Sequence, residues 1–179
     1  FIFLKKFFAK IILLKMKKSI FYILFISLLA CNSVDDNRAD TIKLMIDEVS
    51  YLSSDELEGR ETGTIGEKKA AEYISSKFLE YGLVGKGTEG FFQTFEASIK
   101  ENPHTNTIKK KINATNVVGY LDNNQDETII IGAHYDHIGY GDFSSLYDGD
   151  REIHNGADDN ASGVSIMINL AKSLNKVKD

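Results

Sequence analysis

Residues 127–137 read Glu-Thr-Ile-Ile-Ile-Gly-Ala-His-Tyr-Asp-His, and this stretch decides the fold. From Glu127 to Ala133 it is an apolar run without interruption, which is typical of a strand buried on both faces. Strands of that kind lie in sheets that helices cover on both sides. The run therefore predicts a central strand of an α/β fold.

His134 follows at the carboxyl end of this predicted strand, where open α/β sheets gather ligand-binding and catalytic groups. Asp136 comes two residues later, so both side chains point the same way if the chain is extended. A carboxylate beside a histidine can accept one ring N–H and leave the other ring nitrogen free for a metal ion. The pair therefore predicts part of a metal site.

A second polar stretch, Asn155–Gly163, reads Asn-Gly-Ala-Asp-Asp-Asn-Ala-Ser-Gly and opens a predicted helix. A long loop separates it from His134, and long loops in compact domains are often functional. An aspartate before a helix is usually only a cap, so neither Asp158 nor Asp159 is informative alone. One imidazole and one or two carboxylates that meet in a cleft suit Zn²⁺, although they are too few for a complete site.

The rest of the chain predicts helices and strands in an order that suits a mixed, mainly parallel central sheet between helices. Apolar periodicity and turn residues set the boundaries. In chain order these are a helix from Thr41 capped by Asp40, a helix from Ile65 to Tyr81, a strand from Phe91 to Ile99, a polar loop over 100–114, a strand from Asn116 to Leu121, a turn from Asp122 to Asp126, and a helix from Ala161 to Lys176.

Length and charge narrow the class of protein. A chain of 179 residues allows one domain. The net charge of −5 argues against nucleic acid as a partner, because phosphate binding requires clustered Lys and Arg. Cys31 is the single cysteine, so no disulfide can form within the chain.

Met16 to Cys31 has the build of a secretory signal, with a short basic segment, an apolar stretch and a small residue before the cysteine. The apolar stretch is too short to span a bilayer comfortably. Leu28-Leu29-Ala30-Cys31 resembles the bacterial lipobox, whose cysteine carries lipid. The pattern predicts a lipoprotein anchored to the bacterial cell envelope through Cys31, facing the periplasm or the exterior. The alternative is a plain signal peptide or membrane anchor with a chance cysteine.

Segments on both sides of this signal have their own interpretations. Residues 1–15 are basic and apolar and precede Met16, so we interpret them as a spurious upstream extension. The alternative is one longer hydrophobic anchor, which the lysines interrupt often. Residues 32–40 predict a short polar tether, and residues 41–179 predict the folded domain.

Four motifs occur together in the chain: His134-x-Asp136 after an apolar strand, Gly156–Gly163 opening a helix, Leu57–Thr64 before an Ala-rich helix, and Thr115–Gly119. With these motifs the chain resembles the M28 family of zinc peptidases. The resemblance runs from about Ile42 to Leu174. It implies a zinc-exopeptidase fold of the phosphorylase/hydrolase-like type, and it makes residues 41–179 the N-terminal part of the peptidase domain.

Residue by residue, the resemblance makes His134 a ligand of one zinc ion. Asp159 would bridge two zinc ions, Asp136 would orient His134, and Asp158 would be a neighbour of the site. His137 and His154 match no ligand position and are expected to face solvent. The implied cofactor is Zn²⁺, two ions in the complete protein.

The resemblance also requires a general-base Glu, an adjacent acidic ligand, a further acidic ligand and a final His. All four are expected beyond Asp179, so the fold is expected to be incomplete at the C-terminus and the chain inactive alone. The implied activity is removal of N-terminal amino acids from peptides by a zinc aminopeptidase. The alternatives are a carboxypeptidase or glutaminyl cyclase on the same fold, or a non-catalytic lipoprotein that binds peptides or metal.

Overall fold

A computed structural model of the protein describes residues 35–100, 108–142 and 149–176. The chain divides into two units between Lys43 and Leu44, and of the first unit only the start of one helix is described. The predicted signal peptide and the predicted extension before it lie outside the described residues. Among the helices that are described, none has the length and apolar character needed to cross a membrane.

The described residues form helices and short antiparallel sheets. The segments are α1 (Asp35–Leu52), a 3₁₀ segment (Asp55–Arg60), α2 (Ile65–Glu80), β1 (Val84–Gly85), β2 (Phe92–Lys100), β3 (Ile108–Val117), β4 (Gly119–Tyr120), an irregular helical turn (Ala157–Ala161) and α3 (Ser162–Lys176). Strand β2 pairs antiparallel with β3, and β1 pairs antiparallel with β4. The mixed helix and strand content confirms the α/β class in its coarse form.

The predictions for α2 and α3 are confirmed within a residue or two. Helix α2 begins where Thr64 accepts a hydrogen bond from the backbone N–H of Glu67, and it ends before Gly82, whose φ of +78° suits glycine. Both helices bury one apolar face, so local periodicity was sufficient to predict them. Their shared core includes the side chains of Ile74 and Ile168, which are 1% and 0% exposed.

Helix α1 begins at Asp35, earlier than the predicted start at Thr41. Asp40 is therefore inside the helix and does not cap it, and residues 35–40 of the predicted tether, residues 32–40, are helical. The physical reason is that this polar segment contains neither glycine nor proline, so nothing in its backbone chemistry stops a helix.

Strand β2 confirms the prediction for Phe91–Ile99, but the polar loop predicted over 100–114 is wrong from Ile108 onward. Those residues belong to β3, whose exposed lysines gave it a loop-like composition. In the hairpin Lys111 lies 2.6 Å from Glu96 of β2, while Ala114 is buried. Cross-strand pairing therefore outweighs the low strand propensity of lysine.

The central strand predicted from Glu127 to Ala133 is also wrong for the described structure, and a parallel central sheet is not shown. No described strand pairs with this run, and an apolar sequence alone cannot supply the hydrogen-bond partners that a strand requires. Ile129, Ile130 and Ile131 are 86%, 91% and 49% exposed. They help to line a cavity of about 720 Å³, together with side chains of α2, β3 and α3.

Candidate metal centre

His134 lies between two carboxylates. Its Nδ1 is 3.2 Å from the backbone oxygen of Asp136 and 3.5 Å from that residue's Oδ1. Its Nε2 is 3.1 Å from Oδ1 of Asp159. The structure therefore brings together the three residues that the sequence singled out, with one ring nitrogen of His134 facing each aspartate.

The spacing between His134 and Asp159 fits two ligands of one ion. Ligands at about 2.0–2.2 Å from a tetrahedral zinc are roughly 3.4 Å apart. The measured separation of 3.1 Å between Nε2 and Oδ1 is close to that value. The pair is only part of a ligand set, because the described residues contain no group of three or more His, Cys, Asp or Glu side chains that could hold a metal ion.

The backbone before Asp159 depends on Gly156. Its φ is +61°, and a Cβ there would lie 2.5 Å from the Asp159 carbonyl oxygen and 2.7 Å from the His137 ring. The Gly156 carbonyl also accepts the Ala161 N–H at 3.2 Å. A side chain at this position would displace the candidate ligand, which explains the first glycine of the motif.

Asn160, just before helix α3, contacts the loop that contains His134. Its side-chain N–H donates to the carbonyl oxygen of His134 at 3.1 Å. Gly163 makes room for this amide, since a Cβ there would lie 2.3 Å from the Asn160 Oδ1. Ser162 donates to the Asp158 carbonyl oxygen at 3.0 Å, so the backbone of Asp158 is fixed at the helix start. The sequence motif predicted the aspartates but not these supporting contacts.

Tyr135 points the opposite way from its two neighbours. The alternation places His134 and Asp136 at the surface, with side chains 56% and 46% exposed, while Tyr135 is only 9% exposed. The Tyr135 hydroxyl contacts the Thr115 carbonyl oxygen and lies 3.2 Å from Glu67 Oε1. Burial raises the pKa of Tyr135, and the nearby negative charge of Glu67 adds to the effect. The hydroxyl therefore stays protonated, and its contacts fix the loop that contains His134 and Asp136.

The segment Leu57–Thr64, which we call the leader, contacts the same loop through its backbone. The His137 N–H donates to the Arg60 carbonyl oxygen at 3.1 Å, and the Gly139 N–H donates to that of Gly59, also at 3.1 Å. Gly59 has no room for a side chain, because a Cβ would lie 2.5 Å from the His154 carbonyl oxygen. In the sequence the leader stands out only as a family motif, and no role follows from the motif itself.

The expectation that His137 and His154 face solvent is wrong for His137 and holds only partly for His154. The His137 side chain is 14% exposed, and its Nδ1 lies 3.6 Å from Oδ2 of Asp159. Burial lowers the pKa of His137, and the negative charge of Asp159 opposes that shift. His154 is half-buried. The prediction for the two histidines failed because the loop residues around them turn back over the leader, a contact that the sequence pattern does not reveal.

Comparison with known proteins identifies the region around this site. The model of peptidase family M28 matches residues 116–179, a range that contains His134, Asp136 and Asp159. The match supports an M28 family peptidase and covers only part of that domain. The M28 match confirms the resemblance seen in the sequence and supports a hydrolase of the metallopeptidase class. The leader lies before the matched residues.

Neither the curated proteins nor the solved structures gave a match to the chain. M28 peptidases are generally zinc-dependent, and the facing imidazole and carboxylate of His134 and Asp159 are chemically suited to that ion. The side chain of Asp159 is 69% exposed, so the site is open to solvent and to a substrate.

Proposed function

We propose that the protein is a zinc-dependent aminopeptidase that removes N-terminal residues from peptides. The observation that carries the proposal is the 3.1 Å approach of His134 Nε2 to Asp159 Oδ1 within the M28 match. Both groups have the donor chemistry of a zinc site, and both are accessible from solvent.

In this proposal His134 and Asp159 would hold zinc. The backbone oxygen of Asp136 accepts the Nδ1–H of His134, with the carboxylate Oδ1 3.5 Å away, and this leaves Nε2 unprotonated and facing Asp159. Zinc, when bound, supplies a Lewis acid that lowers the pKa of a water molecule and polarises the peptide carbonyl. Asn160 and Tyr135 keep the His134 loop at its place during turnover through the contacts described above.

Charge at the site supports an aminopeptidase over a carboxypeptidase. The side chains of Asp136 and Asp159 are 46% and 69% exposed, and Asp158 is exposed beside them. Asp158, which holds no zinc in this proposal, can attract the free ammonium group of a peptide N-terminus, while bound zinc would offset the charge of Asp159. A carboxypeptidase would require the opposite charge preference.

The test compares zinc content and hydrolysis of aminoacyl-nitroanilides for two variants of the full protein. His134→Ala removes a ligand, so zinc content and activity should both fall. Asp136→Asn should retain most of the zinc while activity falls about 10- to 100-fold, because it keeps an acceptor oxygen but loses the negative charge beside Nδ1 of His134.

Full zinc occupancy in His134→Ala would contradict the site assignment. A substrate with an acetylated N-terminus serves as the control for the reaction type. If the wild type cleaves that substrate as fast as the free amine, the aminopeptidase proposal is wrong and a different reaction of the family takes its place.

We also propose that Cys31 carries lipid and anchors the enzyme to the bacterial cell envelope, facing the periplasm or the exterior. The support is the sequence Leu28-Leu29-Ala30-Cys31 after a basic and apolar segment. A fatty-acid analogue should label the wild type and leave Cys31→Ser unlabelled. Equal labelling of both proteins would overturn this proposal.

A further inference from the structure

Arg60 is a buried cation directly beneath the candidate metal centre. Its side chain is 0% exposed, although arginine is almost never fully buried without a partner. The backbone turns inward to place it there, with φ values of 47° at Glu58, 68° at Gly59 and 48° at Arg60. Positive φ is uncommon for residues other than glycine, so the leader adopts an unfavourable backbone to bury this guanidinium.

Each of the three nitrogens of the Arg60 guanidinium donates to at least one backbone carbonyl oxygen. Nε donates to Tyr135 at 2.7 Å, Nη1 donates to Asn155 at 2.8 Å and to Leu52, and Nη2 donates to Gly156 at 2.9 Å. Arginine can do this because its donors form a rigid planar fork. One side chain therefore joins the loop of Tyr135 to the loop of Asn155 and Gly156.

These two loops carry the candidate ligands. Tyr135 lies between His134 and Asp136, and Gly156 lies shortly before Asp159. The distance between the loops at Arg60 therefore constrains the distance between His134 Nε2 and Asp159 Oδ1 above it. A change of about 1 Å in such a constellation is enough to impair it.

The charge of Arg60 acts on the same residues. Burial lowers the pKa of Arg60, whereas the negative charges of Asp136 and Asp159 raise it. Arginine remains protonated in proteins. The hydrogen-bond partners of its guanidinium among the described residues are all carbonyl oxygens, so Asp136 and Asp159 lie near a positive charge that does not occupy their carboxylate oxygens.

Thr62, two residues after Arg60 in the leader, also contacts the site. Its Oγ1 donates to Oδ2 of Asp136 at 2.7 Å, while the other oxygen of Asp136 faces His134. The hydroxyl therefore fixes the rotation of the carboxylate that orients the histidine. Arg60 acts on the backbone of the site and Thr62 on one of its side chains.

We propose that Arg60 and Thr62 are positioning residues that set the zinc affinity of the site, Arg60 by fixing the spacing of the two loops and Thr62 by fixing Asp136. This proposal rests on the proposed function, because it assumes that His134 and Asp159 hold zinc. It gives the leader a role in metal binding in addition to its role in the fold.

The experiment measures the zinc dissociation constant of the folded full chain, with a zinc salt as the only ligand that is added. Arg60→Lys keeps the charge but replaces a fork by a single ammonium, so one loop loses its contact and the dissociation constant should rise about 10- to 100-fold. Leu57→Ala is the matched control. It removes a fully buried leader side chain, so it lowers stability, but it removes no hydrogen bond to either loop and should leave zinc affinity within about threefold of the wild type.

Thr62 gives a second test that does not depend on the folding of Arg60→Lys. Thr62→Val has the same shape without the donor and should raise the dissociation constant about tenfold. Thr62→Ser keeps the donor and should restore the wild-type value within about threefold. A purely structural role would not produce this difference between valine and serine.

The outcomes separate the two proposals. If the wild type binds no zinc, the proposed function fails and this inference fails with it. If the wild type binds zinc and Thr62→Val binds it equally well, only the positioning role is overturned. If Arg60→Lys does not fold, weakened binding by Thr62→Val with rescue by Thr62→Ser supports the leader's role, and the absence of that pattern rejects it.

Discussion

Two segments meet at His134 and differ sharply in how they are held. On one side Leu57, Gly59 and Arg60 of the leader are buried, and Nε, Nη1 and Nη2 of Arg60 each donate to a carbonyl oxygen. On the other side Ile129 and Ile130, the most apolar part of the chain's central run, are 86% and 91% exposed. The comparison shows that polar groups with matched partners order the site, whereas apolar residues remain open where no neighbouring strand or helix covers them.

The largest expected effect comes from placing one charge in the buried core and one in the exposed apolar run of the 179-residue chain. Ile168→Lys buries an unpaired ammonium at a position that is 0% exposed and should unfold the protein, at a cost above about 4 kcal/mol. Ile130→Lys should change the free energy of unfolding by less than about 0.5 kcal/mol and should reduce aggregation. Denaturant unfolding and light scattering measure both. A loss at Ile130→Lys as large as that at Ile168→Lys would show that the run is covered in solution.

The next effect concerns the tight packing of the leader. Gly59→Ala should destabilise the protein by about 3 kcal/mol or more, because it adds left-handed strain to a clash with two carbonyl oxygens. Gly90 is the matched control, since its φ is also positive at +58° but nothing lies within 4 Å of a Cβ there. Gly90→Ala should therefore cost only the strain, about 1–2 kcal/mol. Equal losses for the two variants would remove packing from the account of the leader.

The sequence predicted those parts of the structure that depend on local pattern. Helices α2 and α3 and strand β2 follow from periodicity and turn residues close to each element. The grouping of His134, Asp136 and Asp159 followed from two short motifs and their family resemblance. Strand β3 was missed because three successive lysines, residues 109–111, resemble a loop until their pairing with β2 is known.

The parts that the sequence could not predict depend on contacts between distant residues. The role of Arg60 depends on carbonyl oxygens of Tyr135, Asn155 and Gly156, and every residue type has a carbonyl, so composition gives no signal. The exposure of Ile129 and Ile130 depends on what covers them. In the sequence, only Gly59 indicates that the leader turns inward before Arg60, because glycine tolerates the positive φ that such a turn requires.

A smaller effect is expected at two buried carboxylates, Glu67 and Glu48, which differ in their hydrogen-bond partners. Glu67 accepts hydrogen bonds from the N–H of Gly63 and of Thr115 and lies near the hydroxyl of Tyr135, so both of its oxygens are used. Glu67→Gln should cost about 1–3 kcal/mol, because an amide N–H₂ then faces a donor. Glu48 differs in that its Oε1 has no hydrogen-bond partner among the described residues.

For Glu48 the expected effect depends on pH. Burial raises the pKa of Glu48 above 4.5, and hydrogen bonds from Ser165 and Asn169 only partly oppose this. A raised pKa in the folded state means that the contribution of Glu48 to stability is fully present below its unfolded pKa. That contribution is lost as the pH rises through the folded pKa. Glu48→Gln should therefore gain stability relative to the wild type as the pH rises from 4 to 7. Thermal unfolding at several pH values checks this, and a parallel pH profile for the two proteins would contradict it.

The central claim is that Asp159, and not its neighbour Asp158, holds the metal with His134. The structure places Asp159 Oδ1 at 3.1 Å from His134 Nε2, while the backbone of Asp158 bonds to Ser162 at the start of the helix. The most direct measurement is the zinc content of Asp158→Asn and Asp159→Asn, two variants with the same change of charge at adjacent positions. The account predicts that Asp159→Asn loses most of its zinc and that Asp158→Asn retains it. Retention by Asp159→Asn together with loss by Asp158→Asn would contradict it.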